Sequence, residues 1–175
     1  ERIRQAPKVL LHDHLDGGLR PTSIIELADE LGYRDLPTTD AAELSQWMLR
    51  GANRKNLTLY LETFAHTVGV MQTEAALHRV ARECAEDLAA DGVVYAEIRF
   101  APELHTERGL SLDAVIEAVL AGFDAGSTST DLTIRVICSA MRHQNNGLDV
   151  AQVAVRYRDH GVVAFDIAGP EDGFP

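Results

Sequence analysis

The segment His12-Asp13-His14-Leu15-Asp16-Gly17-Gly18 places two imidazoles and a carboxylate at every second position. Side chains two apart on a β-strand share a face. If the strand continues through His14, the two rings project toward one point and Asp16 follows at the same period. Neutral imidazole is a common zinc ligand, and two of them on one rigid strand give preorganised coordination. A bare His-x-His pair also occurs by chance on protein surfaces. Here it follows the apolar run Val9-Leu10-Leu11, and the C-terminal end of such a strand is where barrel enzymes keep their sites. Gly17 and Gly18 are expected to let the backbone turn sharply and approach a ligand closely.

Four segments must position this chemistry as buried strands. Residues 8–12, 93–100, 132–138 and 162–167 are short, apolar and rich in β-branched side chains. Between them lie helical patterns. Residues 21–31 put Ile24, Ile25, Leu27, Ala28 and Leu31 on one side. Residues 73–90 repeat apolar side chains at Leu77, Val80, Ala81, Cys84 and Leu88 and stop at Asp91-Gly92. Ser111 is a candidate cap for a helix carrying Val115, Ile116, Val119, Leu120 and Phe123, and residues 148–158 give another, closed by His160-Gly161. Residues 40–50 and 57–68 read as two extra helices before the second strand.

Strand-then-helix alternation implies a parallel sheet, and strands without polar alternation imply that both faces are covered. Eight such units closing a barrel take about 250 residues; this chain has four in 175. The expected fold class is therefore α/β, the first four strand–helix units of an incomplete (β/α)8 TIM-type barrel. Residues 1–175 are expected to form one half of a single domain. The chain stops just past the fourth strand with no helix to follow, which reads as an interruption.

Composition narrows the partners. Net charge is −11, from 27 acidic and 16 basic residues; such a surface repels phosphate backbones, so nucleic acid is not expected. No apolar run approaches the roughly 18 residues that span a bilayer, and residues 1–5 are too polar for a secretory signal. A cytoplasmic location is expected, with no membrane partner. Cys84 and Cys138 are expected to be reduced, buried thiols.

The stretch from Pro7 to Gly17 resembles the opening motif of the adenosine deaminases, within the amidohydrolase superfamily. Gly92-Val93-Val94-Tyr95-Ala96-Glu97-Ile98-Arg99-Phe100-Ala101-Pro102, Cys138-Ser139-Ala140-Met141-Arg142-His143 and Asp166-Ile167-Ala168-Gly169 resemble the ends of that family's second, third and fourth strands, in order. The resemblance implies a barrel with one Zn2+ at its C-terminal mouth, His12 and His14 being its first two ligands. It implies that Asp16 hydrogen-bonds the ribose 5'-hydroxyl and that the Gly169 backbone N–H meets the purine ring. An Asp at position 16, rather than Glu, favours a nucleoside over free adenine. Leu57, Tyr60, Leu61 and Phe64 match the apolar helix covering the pocket, with Tyr60 standing where Phe is typical; their spacing equally describes any buried helix face.

The implied reaction is hydrolytic deamination of adenosine or 2'-deoxyadenosine to the inosine form plus ammonia. Zinc held in a protein site lowers the pKa of its bound water to about 7, from about 9 in the aqueous ion. The acid and base groups, and the remaining metal ligands, come in the family from a later His-Ala-Gly-Glu motif, a histidine and an aspartate. No His-Ala-Gly-Glu occurs here, so no catalytic acid or base is expected within this chain, and the 175 residues alone are expected to be inactive. Glu97 and Arg99 share a face of the second strand and read as an ion pair. Arg142 and His143 fall near the mouth, while His66, His78, His105 and His160 are expected to be solvated.

Other readings stay open. A related deaminase acting on adenine, aminofutalosine or thioadenosine would share these motifs. A non-catalytic half-barrel could pair with a partner or itself through the edges of the first and fourth strands. Neither G-x-G-x-x-G nor a P-loop appears, which disfavours a dinucleotide-binding domain. Oligomeric state is not legible.

Overall fold

The structure, a computed structural model, describes residues 6–53, 57–171 and 173. Four strands, β1 (Lys8–His14), β2 (Val93–Phe100), β3 (Thr133–Met141) and β4 (Val162–Ala168), form one sheet in the order β1-β2-β3-β4. All three pairings are parallel. Helices α1 (Pro21–Leu31), α2 (Ala41–Ala52), α3 (Leu57–Val70) and α4 (Glu74–Ala90) separate β1 from β2, while α5 (Leu112–Ser127) and α6 (Gly147–Arg156) fill the next two crossovers. Strand-to-strand connections carrying helices are what parallel pairing requires. β1 runs two residues further than its apolar run predicts, through His14, and β3 three further, to Met141.

Local chemistry sets the helix boundaries. Asp40, Thr73 and Ser111 each accept a hydrogen bond from the backbone N–H three residues on, at 2.8, 3.2 and 3.1 Å. Each cap is worth on the order of 1 kcal/mol. α1 ends at Gly32, whose φ of 68° is the left-handed closure that glycine adopts without strain.

Burial divides the sheet into two faces. Ala96, Ile98, Phe100, Val136, Cys138 and Ala140 are buried against the helices, where Leu77, Val80, Ala81, Val115, Ile116, Val119, Val150 and Val153 meet them in one core. Each such aliphatic or aromatic side chain contributes roughly 1.5–3 kcal/mol of burial. α4 and α5 pack closely because Gly122 and Gly126 leave room: a Cβ at either would strike the carbonyl of His78 or Arg82 and the methyl of Ala81 or Ala85. Cys138 is buried in this core; Cys84 is half-buried, and both are free thiols.

His105 departs from its expected solvated state. It lies fully buried at the end of a single 3-10 turn, Pro102–His105. Its Nδ1 sits 3.1 Å from the Met71 carbonyl, a geometry that assigns the proton to that nitrogen. Neighbouring Gln72 donates to the carbonyls of Val68 and Leu104, so the turn after β2 is sewn to the end of α3. Among the other three, His66 and His78 are half-buried and His160 exposed.

Burial drives the His105 pKa down from 6.5 to about 4, with the Met71 carbonyl opposing the shift. The folded ring stays neutral while the unfolded one takes a proton, so stability is complete above pH 6.5 and lost as pH falls toward 4. The loss amounts to as much as about 3 kcal/mol. His105→Gln should therefore flatten the urea midpoint between pH 6.5 and 4. A variant as pH-sensitive as the parent would show that this ring does not govern acid stability.

Candidate metal centre

A register irregularity in β1 decides which way its polar side chains face. Val9 lies beside Tyr95 and Leu10 beside Ala96, but the next pairs are Asp13 with Ile98 and His14 with Arg99. Leu11 and His12 together stand opposite Glu97, a bulge of the kind enriched at sheet edges and beside active sites. Ala96 and Ile98 face the helices, so Leu10 and Asp13 do too. His14 lies with Arg99 on the opposite, open face, and His12 two residues before it shares that face. Counted by strict alternation from Leu10, both histidines would have pointed into the helices.

The two rings lie side by side on this face. Their centroids lie 5.5 Å apart with planes tilted by 44°. His12 is exposed and His14 half-buried. Burial is the largest influence on His14 and lowers its pKa; His12 and Arg99 lower it further, while Asp13 and Asp166 raise it. The neutral imidazole, which is the form that ligates a metal, is therefore favoured at neutral pH.

Asp16 sits in the 3-10 turn Leu15–Gly17 that follows β1 and is 6% exposed. Its Oδ1 is buried with no hydrogen-bond partner and lies 3.8 Å from His14 Nδ1, beyond hydrogen-bond range. Desolvation pushes its pKa up to about 6, against the pull of its own backbone N–H. A buried carboxyl oxygen without a donor fits an incoming hydroxyl or N–H. The turn at Gly17 and Gly18 does not require glycine backbone. Neither takes a left-handed φ, and a Cβ at Gly17 would make ordinary 3.5 Å contacts with His14 and Phe64.

α3 lies over this turn. Phe64 presents its edge to His14 at 6.4 Å, and Tyr60 stacks edge-on against Phe64 at 5.2 Å. Tyr60 is exposed and Phe64 half-buried; the side chains of Leu57 and Leu61 lie outside the described residues. Gly169 follows β4 with φ 98°, a conformation that favours glycine, and a Cβ there would come within 3.2 Å of Met141 Cε. Arg142 pairs with Glu171 at 3.3 Å, and His143 is exposed.

The anticipated Glu97–Arg99 pair does not form. Glu97 accepts from the Tyr95 hydroxyl at 2.9 Å, and Arg99 reaches across β3 to Asp166. Glu103 was missed altogether: it is buried, and its Oε1 accepts from the Met141 backbone N–H at 2.5 Å. Its placement after Ala101-Pro102 gives no periodic signal. Among the described residues, no three His, Cys, Asp or Glu side chains are grouped to hold a metal. His12 and His14 alone would fall one short of the usual three protein ligands of a catalytic zinc.

Sheet order, helix placement and polar strand ends define the first half of a (β/α)8 barrel. Among solved structures, the adenine deaminase of Arthrobacter aurescens matches with a TM-score of 0.81 at 27% identity, over 97% of this chain and 50% of that one. The Arabidopsis N6-mAMP deaminase matches at 0.80 and 27%, over 96% and 52%. The family model described as adenosine deaminase covers residues 7–175. The adenosine deaminase of Mycolicibacterium gilvum is 60% identical over 180 residues, spanning 100% of this chain and 50% of that relative. The chain belongs to the adenosine deaminase family, and it spans about half the length of the curated relatives it matches.

Deleting Leu11 should remove the bulge and still leave His12 opposite Glu97 and His14 opposite Arg99, both on the open face. Leu11→Ala keeps the extra residue and serves as the control. The deletion variant should therefore unfold at a urea midpoint close to that control. A loss of several kcal/mol, the cost of two buried, unpaired imidazoles, would show that the pairing with β2 does not set the facing of the histidines.

Proposed function

We propose that this chain is the N-terminal half of a single barrel domain, residues 1–175, and that the whole protein hydrolytically deaminates adenosine or 2'-deoxyadenosine, releasing ammonia. The observation that carries the reading is the convergence of His12 and His14 on one open face, with the donor-less oxygen of Asp16 beside them. His12 and His14 would hold one Zn2+, completed by ligands from the other half. Zinc, when bound, supplies a water acidic enough to react near neutral pH.

The remaining roles belong to this chain's own groups. Asp16 accepts the ribose 5'-hydroxyl; its raised pKa reflects burial that such a donor would offset. The Gly169 backbone N–H meets the purine ring, and its left-handed backbone presents that edge without a Cβ. Tyr60 and Phe64, with Leu57 and Leu61, close over the nucleoside and exclude water. The groups that protonate the ring and orient the water are assigned to the other half. The partner in this reading is a small-molecule purine nucleoside and the location cytoplasmic; among the described residues no helix is long and apolar enough to cross a membrane.

The test is a substrate panel on the whole zinc-loaded protein: adenosine, 2'-deoxyadenosine, adenine and N6-methyl-AMP. Nucleosides should exceed adenine at least tenfold in kcat/KM. His12→Ala should abolish turnover and reduce zinc content. A preference for the free base or the nucleotide would move the assignment to a related deaminase, and full turnover by the metal-free protein would end it.

A further inference from the structure

One charged pair on the open face is given no role in substrate or metal binding so far. Arg99 lies beside His14 in the β1–β2 register and beside Ile137 of β3. Its Nη1 passes over β3 and donates to Asp166 Oδ2 on β4, and Asp166 lies beside Ser139. The pair is mostly removed from solvent, the Arg99 side chain being 16% and that of Asp166 30% exposed. Three atoms of this patch, Arg99 Nε, Ser139 Oγ and Asp166 Oδ1, are buried without a hydrogen-bond partner.

A pair that only tied the strands together would be a costly choice. Apolar residues of similar volume often serve such a purpose as well or better, and each orphaned polar group costs about 1–3 kcal/mol. The placement suits another task. Arg99 is the β2 partner of His14, and the spare Asp166 oxygen belongs to a residue on the face the two imidazoles share.

We propose that Arg99 and Asp166 are positioning residues of the metal centre: Arg99 braces His14 from β2, and Asp166, fixed by Arg99, supplies the outer hydrogen-bond acceptor that keeps the centre in register. The proposal rests on His12 and His14 being ligands. Neither residue touches substrate in this arrangement.

The experiment uses the whole protein loaded with cobalt(II) in place of zinc, read by its visible absorption and by metal retention against a chelator. Asp166→Asn and Arg99→Met should each weaken metal affinity by about 10–100-fold, the usual effect of losing an outer-shell partner, and should shift the cobalt band. Arg99→Lys should recover part of the loss, since it keeps the charge but not the planar fork. Variants with the parent's spectrum and retention, but a lower melting temperature, would make the pair purely structural and overturn the proposal. If the two stronger variants fail to fold, Arg99→Lys decides alone: weakened retention supports the assignment, and parental retention overturns it. A parent protein that takes up no metal would remove the functional reading and this proposal together. A parent that holds metal as tightly as its variants do would remove only this one.

Discussion

The whole site depends on two residues of β1 standing opposite one residue of β2. A strand alternates faces with period two, so one extra residue inverts everything after it. Before the bulge, Leu10 joins the helix-covered core; after it, Asp13 takes that side, and the histidines face away. Without this phase change the first strand could not be anchored by Leu10 and also present two imidazoles with Arg99. A local break in the ladder is the means by which one edge strand serves both packing and chemistry.

The division of labour between faces follows. The helix side carries an almost wholly apolar core and holds the sheet in shape. The open side and its rim hold four of the buried polar atoms without partners, on Asp16, Arg99, Ser139 and Asp166, while Glu103 Oε2, His105 Nε2 and Asn146 Oδ1 lie in the connections that follow β2 and β3. Buried polar atoms without partners are rare in well-packed proteins. The apolar core opposite is what makes their concentration beyond the C-terminal ends of neighbouring strands tolerable.

The elements themselves were legible because their signals are local. Apolar runs located all four strands, and α1 begins and ends where its periodicity says. Ser111 announced a helix start through a side chain that reaches only three residues on, and Asp40 and Thr73 cap two more helices in the same way. The shared face of His12 and His14 was legible for the same reason. What that face looked toward was not, since a bulge is a relation between two strands 80 residues apart in sequence. Arg99 was paired with Glu97 by period alone; its real partner, Asp166, lies on β4, and only the sheet register brings them together. His105 was misplaced because its burial comes from α3 and the turn after β2 folding onto one another, a contact with no trace in its neighbours.

α3 shows how the scaffold reaches the site from outside the sheet. On one side His66 is held by the Tyr33 hydroxyl at 2.9 Å and by the edge of Trp47 at 5.1 Å, tying α3 to the end of α1 and to α2. On the other, Phe64 meets His14. The same sheet leaves apolar surface uncovered on both faces, Val9 and Leu11 on β1 at 61% and 55% exposure and Phe165 and Ile167 on β4 at 39% and 56%. Phe165 and Ile167 pair with Cys138 and Ala140 and so belong to the helix side. Exposed edge strands of this character favour further pairing. Closing the sheet through β1 and β4 would cover both surfaces, and it would bring new side chains onto the open face beside the two histidines. The uncovered apolar surface and the partnerless polar atoms of that face would be answered by the same closure.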